Sequence, residues 1–419
     1  VARVQHSGAG FASGILGSKV KSHAAKVRRA FHYFCAMFDP THPTVFWTAL
    51  SFLAGAVFLQ LFFWMGVFAK VAWASKKGTD SPSDLPPLSL LADGRNAEEL
   101  FPELLEQWSQ QEYPKPLDWV AINNQSVDET EQVLDALRVR YPQMHQVLVP
   151  KSERFYDSKK FPITLGIKAA KTESVLLTHA EGRPTTQQWA SRMAAPFSDP
   201  NVRLVLGAVR MEEGTGWWAR TVRFAHAFRQ LEYLSWAKWG LVLSGDGANL
   251  AYQRSLFFEL KGFLSHMHLT SGEDDLFVNE AAPQTNVRVV LHPDAQVTVP
   301  LPANKDRWKR TLRDQAQARS AYRPSTLAAL QLHSWVQWLF ALSALGTAAL
   351  IPLVPNWWIF WLALVGGRTV LVWIQWALAG RFLALGGLVV LFPVLEWVYW
   401  FQRMGLAVRR TFTPAKRRW

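Results

Sequence analysis

Apolar positions are unevenly spread along the chain. Residues 45–69 carry almost no charge and are rich in Phe, Leu and Trp. As a helix rising about 1.5 Å per residue they would cross roughly 30 Å of hydrocarbon, so the pattern predicts a first spanning helix. Three more apolar stretches, 332–354, 357–378 and 382–400, follow Pro324, with Trp and Tyr at their ends as in interfacial belts. Between Pro86 and Pro324 the pattern changes. Short apolar runs alternate with helical stretches: strand 88–91, helix 97–110, strand 118–123, helix 128–139, strand 147–149, helix 163–170, strand 174–178. This is the alternation of an α/β sheet, whose ligands gather beyond the C-terminal ends of its strands. The pattern divides the chain into an extension (1–44), an anchor (45–72), an α/β domain (86–323), a membrane region with two or three spans (324–404) and a basic tail (405–419).

Charge sharpens this plan. The formal net charge is +13, but Lys70, Lys76 and Lys77, then Arg409, Arg410, Lys416, Arg417 and Arg418, flank apolar runs instead of lining one amphipathic face. That placement argues for a membrane and against nucleic acid as the partner. No small-residue cleavage pattern follows residue 69, so the first span reads as an uncleaved anchor whose lysines hold the middle domain in the cytoplasm. Three further spans would then put the basic tail outside, against the positive-inside tendency. One stretch therefore does not cross, and Gly366-Gly367-Arg368 marks the middle one, because an unpaired Arg there costs about 2.5 kcal/mol or more. The alternative is that Arg368 pairs with a neighbour such as Glu396 inside a bundle. Lys19, Lys21, Lys26, Arg28 and Arg29 pull the first residues inside as well, so either Met37 is the natural start or residues 1–36 are a loosely held extension. Cys35, the one cysteine, permits no internal disulfide and no Cys/His zinc spacing.

A series of ordered motifs is more specific. It opens with Pro86-Pro87-Leu88-Ser89-Leu90-Leu91, Arg95-Asn96 and Pro102-Glu103-Leu104-Leu105, followed by Gln110-Gln111-Glu112-Tyr113-Pro114. Asn123-Asn124-Gln125-Ser126-Val127-Asp128-Glu129-Thr130 comes next, then Lys168-Ala169-Ala170 before Val175-Leu176-Leu177-Thr178. The segments Ser244-Gly245-Asp246-Gly247-Ala248-Asn249-Leu250-Ala251-Tyr252 and Ser271-Gly272-Glu273-Asp274-Asp275-Leu276-Phe277 complete it. Taken together, the series resembles the family 2 glycosyltransferases, in the branch with one N-terminal and several C-terminal apolar segments. The resemblance implies a GT-A domain with a mixed sheet, joined to transmembrane helices.

Transfer from a nucleotide sugar needs a base for the acceptor hydroxyl and usually a divalent metal for the departing diphosphate. By resemblance the base is the Asp of a Glu-Asp pair, which maps to Asp274, with Asp275 as its rival and Glu273 on the acceptor side. The same residues read without the resemblance are a helix N-cap and its first turn. The family's Asp-x-Asp metal motif is replaced by His179-Ala180-Glu181; Glu181 can supply a hard oxygen to Mg²⁺ or Mn²⁺, and neutral His179 can ligate Mn²⁺. The Asp that accepts the uracil N3–H becomes Asn124, whose carbonyl accepts without charge assistance. Arg95, Asp128 and Lys168 complete the expected nucleotide site. Gly247 and Asn249 fall on the acceptor side. The Gln-x-x-Arg-Trp motif of processive members is replaced by Thr311-Leu312-Arg313-Asp314-Gln315, and Gln315 with Arg319, four apart on one helical face, is a partial substitute. Residues 307–323 otherwise read as a basic amphipathic helix at the membrane surface.

Two functions fit. One is an inverting glycosyltransferase in the bacterial inner membrane, its GT-A domain cytoplasmic. It would move a sugar from a nucleotide-sugar donor to a lipid-linked or polysaccharide acceptor for the cell envelope, with a partner transferase or flippase for any secretion. The other is a GT-A-like scaffold that binds a glycan or a partner transferase without turnover, because the altered positions fall on the base, metal and leaving-group sites.

Overall fold

The computed structural model describes residues 43–74, 84–151 and 158–412. Most of the expected extension (1–42, with Cys35 and Met37), Lys76, Lys77 and the end of the basic tail with Lys416, Arg417 and Arg418 lie outside the described residues. The chain divides into two compact units, Val1–Gln60 with Ser334–Thr369 and Leu61–His333 with Val370–Trp419.

The second unit holds the sheet. Strands β1 (Leu88–Gly94), β2 (Asp118–Asn123), β3 (Met144–Leu148), β4 (Ser174–His179), β5 (Arg183–Pro184), β6 (Val202–Gly207), β7 (Val209–Met211), β8 (Leu250–Gln253), β9 (Asn286–Val290) and β10 (Val297–Val299) form it and a small companion. The main sheet has seven strands in the order β3-β2-β1-β4-β8-β6-β9, and a three-stranded sheet runs β5-β10-β7. Strands β1 to β4 are mutually parallel, and β8 runs antiparallel between β4 and β6. Every residue of β1 and β2 is buried, as expected of central parallel strands covered on both faces.

The helices follow from spacing. After α1 (Pro43–Ala72), helix α2 (Leu100–Ser109) buries Phe101, Leu104, Leu105 and Trp108, one 3.6-residue stripe laid on the sheet. Next come α3 (Thr130–Arg140) and α4 (Lys160–Ala169). A Cβ on Gly166 would stand 2.2 Å from Ile122 Cδ1, so glycine there lets α4 lie close against the sheet. Because α4 is the crossover between parallel strands, it runs back from their C-terminal ends. Its first residues therefore face the ligand edge of the sheet and its last residues the opposite edge. Beyond it lie α5 (Trp189–Ala194), α6 (Gly216–Lys238), α7 (Arg254–Glu259), α8 (Asp275–Ala281), α9 (Lys305–Arg319), α10 (Pro324–Ala348), α11 (Trp357–Leu383) and α12 (Phe392–Phe412). Within the second unit α6 carries an aromatic cluster: Phe224 meets Trp376 at 4.9 Å, and Phe228 meets Tyr399 at 4.8 Å and Trp400 at 5.8 Å.

The expected strands and helices before β5 all form, with ends moved by up to three residues. The C-terminal apolar stretches differ from expectation. Among the described residues two helices are long and apolar enough to cross a membrane, α1 and α11. Helix α10 is long enough but carries buried Thr326, His333, Gln337, Ser343 and Thr347. The stretch 382–400 is not one helix, because Ala384 and Gly386 take positive φ (49° and 51°) and separate α11 from α12. Arg368 is buried in α11. In the first unit its guanidinium donates to Gln60 Oε1 at 2.7 Å and lies 4.5 Å from the centre of the Phe340 ring.

Candidate active site

Register builds the centre of the site. In the parallel pairing of β1 with β4, Asp93 lies opposite His179, so both side chains leave the same face at the ends of their strands. His179 Nδ1 meets Asp93 Oδ1 at 2.6 Å. The first-turn side of α4 supplies the third member, Lys159, whose Nζ stands 3.4 Å from Asp93 Oδ2 and 3.4 Å from His179 Nδ1. Burial alone would raise the Asp93 pKa, but Lys159 and His179 outweigh it and hold the carboxylate well below its usual range. Burial and Lys159 oppose charge on His179, yet Asp93 prevails and the imidazole pKa is raised. The centre is thus a carboxylate held between an imidazole N–H and an ammonium.

A second wall comes from the loop before α8. Asp274 caps that helix through the N–H of Asp275 at 2.7 Å, and its other oxygen accepts from Gly247 N–H at 3.0 Å. A Cβ at Gly247 would lie 3.4 Å from His179 Cε1 and 3.5 Å from Asp274 Cβ, so the two walls converge there. A small recess between them is floored by Leu91, Ile122, Ile163 and Leu177. Burial, with the Asp274 charge adding to it, pushes Glu273 up to about 7, and its Oε2 is buried without a hydrogen-bond partner. Lys160, buried, anchors the loop by donating to His266 O at 2.6 Å and Leu269 O at 2.8 Å.

Of the expected residues, Asp274, Glu273, His179 and Gly247 come together. Asp275 does not join them. It is 3% exposed and is held by Arg229 at 2.6 Å and by Tyr322; burial raises it to about 6. That makes it an internal ion-pair partner and leaves Asp274, half-buried, as the more accessible acid. Arg95 and Asn124 meet each other: Arg95 Nη2 donates to Asn124 Oδ1 at 3.2 Å, the oxygen expected to accept from a base. Asp128 is committed to the backbone. It accepts from Thr130 N–H, Thr130 Oγ1 and Glu98 N–H, so it ties the α3 start to the loop after β1 and does not face a ligand. Lys168 is corrected by the direction of α4, which carries it to the far edge of the sheet, near where Lys171 N–H bonds Asp118 at the start of β2. Asn249 is fully buried; it donates to Ala208 O and Ala295 O and accepts from Trp189 Nε1, which leaves nothing for an acceptor sugar. Glu181 turns outward to Arg307 at 3.9 Å. Arg319 points to Glu232 at 3.4 Å, and Gln315 is half-buried on the same helix, so the two do not act as a pair toward the strand ends. Sequence reasoning missed Asp93, Lys159, Lys160 and Arg229. The usable signals were a lone carboxylate ending an apolar strand and a Lys-Lys pair opening a helix.

A family model described as "Glycosyltransferase like family 2" matches residues 86–323. The chain belongs to this family, and it is a hexosyltransferase-like enzyme of the GT-A fold. Among solved structures, it is similar to the mannosyltransferase PcManGT from Pyrobaculum calidifontis in complex with GDP-Man and Mn²⁺, with 17% identity over 78% of this chain and 97% of that one and a TM-score of 0.52. It also matches S. aureus TarS (residues 1–349) in complex with UDP, at 18% identity over 60% and 70% of the two chains, with a TM-score of 0.40. No curated protein matches the chain in sequence.

The PcManGT structure holds Mn²⁺, and divalent metal is a family property. The residues here do not fit that ion well. Among the described residues no three His, Cys, Asp or Glu side chains converge to hold a metal. His179 Nδ1 is engaged by Asp93, and the ammonium of Lys159 faces the same carboxylate. A divalent cation on Asp93 would sit beside the Lys159 ammonium.

Proposed function

We propose that this enzyme is a membrane-bound inverting transferase that moves a hexose from a nucleotide-sugar donor to a lipid-linked or polysaccharide acceptor in the cell envelope. The observation that carries the reading is Asp274, an accessible carboxylate held by two N–H groups at the rim of the strand-end recess. In this scheme Asp274 takes the proton of an acceptor hydroxyl. The oxygen attacks the anomeric carbon, the bond from that carbon to the diphosphate oxygen breaks, and the nucleoside diphosphate leaves with the electron pair. The two N–H groups keep the carboxylate aimed at the recess until the proton moves. Family membership supports the donor class.

Membrane attachment rests on α1 and α11, of 30 and 27 residues. At 1.5 Å per residue these are longer than the roughly 30 Å hydrocarbon core. Both expose large apolar side chains, among them Trp47, Phe58, Phe62, Leu362 and Ile374.

The test is sugar transfer and donor hydrolysis by the detergent-purified full chain against UDP- and GDP-sugars, beside Asp274→Asn. Asn is as good an N-cap as Asp, so the variant keeps the cap on Asp275 N–H while losing the base and the bond from Gly247 N–H. Turnover should fall by about 10²–10⁴-fold. Unchanged turnover in the variant removes Asp274 from the mechanism. Donor binding without turnover in the wild type favours the scaffold reading, which draws on the commitment of Asn124 to Arg95.

A further inference from the structure

We propose that Lys159, braced by the Asp93–His179 pair, is the cation that binds the donor diphosphate and stabilises the departing nucleoside diphosphate, in the place a divalent metal takes elsewhere in the family. The inference rests on the nucleotide-sugar reading above and adds a residue and a metal requirement to it.

Charge and exposure carry the argument. A divalent ion on two aspartates leaves a local sum of zero. Here the Asp93 carboxylate meets the His179 ring at 2.6 Å and the Lys159 ammonium at 3.4 Å, so the site already holds a fixed cation beside its acid. The side chain of Asp93 is 5% exposed and that of His179 18%, whereas Lys159 is 38% exposed, so the ammonium is the open member. It has three N–H donors. Asp93 Oδ2 takes one at 3.4 Å. His179 Nδ1 directs its hydrogen at Asp93 Oδ1, 2.6 Å away, and so is no acceptor for Lys159, which leaves two donors for oxygens arriving at the strand ends. Three further acids face Lys159, namely Glu273, Glu181 and Asp274. Glu181 is turned to Arg307, and Asp274 is the proposed base. The Lys159 backbone also opens α4, a ten-residue helix whose positive end faces the same place. Breaking the sugar–diphosphate bond puts negative charge on the leaving oxygen. An ammonium preset over that position stabilises it without a coordination shell to rearrange.

The test is calorimetric binding of UDP, GDP and the matching monophosphates to the full chain in detergent, in excess EDTA and in Mn²⁺, for wild type, Lys159→Gln and Lys159→Arg. Wild type should bind diphosphate equally in EDTA and in Mn²⁺. Lys159→Gln should lose about ten- to a hundredfold for the diphosphates and little for the monophosphates, and Lys159→Arg should recover most of the loss. A merely structural lysine would weaken all the nucleotides together. Binding that requires Mn²⁺, or undiminished diphosphate affinity in Lys159→Gln, overturns the inference and leaves the transferase reading standing. No nucleotide binding under any condition overturns both.

Discussion

Four acids within reach of one another are set apart by their neighbours. Asp93 is kept charged by Lys159 and His179, Asp274 accepts from two backbone N–H groups, and Asp275 is paired with Arg229, while for Glu273 burial and the like charge of Asp274 outweigh the attraction of Lys159. Its folded pKa of about 7 lies above the ordinary 4.5, so the folded state binds the proton more tightly than the unfolded one. Below 4.5 the group costs nothing, and the penalty grows as pH rises through about 7. Glu273→Gln, always neutral, should therefore be more stable than wild type by about 2 kcal/mol near pH 8, allowing for partial solvent screening, and no more stable near pH 4.5. Thermal unfolding at the two pH values checks this; equal midpoints at both would mean that the carboxylate is well solvated. At this scale the sequence disclosed what lies within one motif. Asp274, Glu273 and Gly247 sit in recognisable strings, but Asp93 finds His179 86 residues away through strand register, which no local pattern records. Lys168 misled for the converse reason, since its neighbours in sequence match while the direction of its helix carries it away.

At the scale of elements, the first half of the sheet was legible because its strands are long, apolar and separated by amphipathic helices. The second half was not. Strands β5, β7, β8 and β10 have two to four residues each, too few to show a period, and the antiparallel insertion of β8 depends on what flanks it in space. What fixes β8 beside β6 is Asn249, immediately before it. A Cβ on Gly207 would stand 2.2 Å from Asn249 Nδ2, so the end of β6 has room for the amide only because residue 207 is glycine. Asn249→Ala leaves two carbonyls and the Trp189 indole N–H without their partner and should cost about 2–4 kcal/mol in chemical denaturation. Diphosphate affinity in the surviving folded protein should stay within about twofold, a small enough change to place Asn249 outside the site. A selective loss of acceptor recognition at unchanged stability would return it to the acceptor side.

For the molecule as a whole, Glu232 on α6 gathers Arg319 of α9, His333 of α10 and Arg403 of α12 within 3.4, 3.0 and 4.0 Å. The strand-bearing domain is thereby joined to its own C-terminal helices by a buried ionic knot as well as by aromatic packing. If α1 and α11 are spans, the chain should stay with the membrane after alkaline carbonate washing, and its release into the supernatant would reduce them to surface or packing helices. The apolar runs made these helices visible in the sequence, whereas the break at Ala384 and Gly386 hid inside one such run. The opposition of Asp93 and His179 also bears on descent. Starting from this chain, His179→Asp alone would face two carboxylates at a contact now 2.6 Å long, and Asp93→Ala alone would leave His179 and the Lys159 ammonium without the anion they share. Either intermediate carries a penalty of about 3–5 kcal/mol. A lineage passing between this site and an Asp-x-Asp site must therefore change the two positions nearly together, so they should vary as a pair among its descendants.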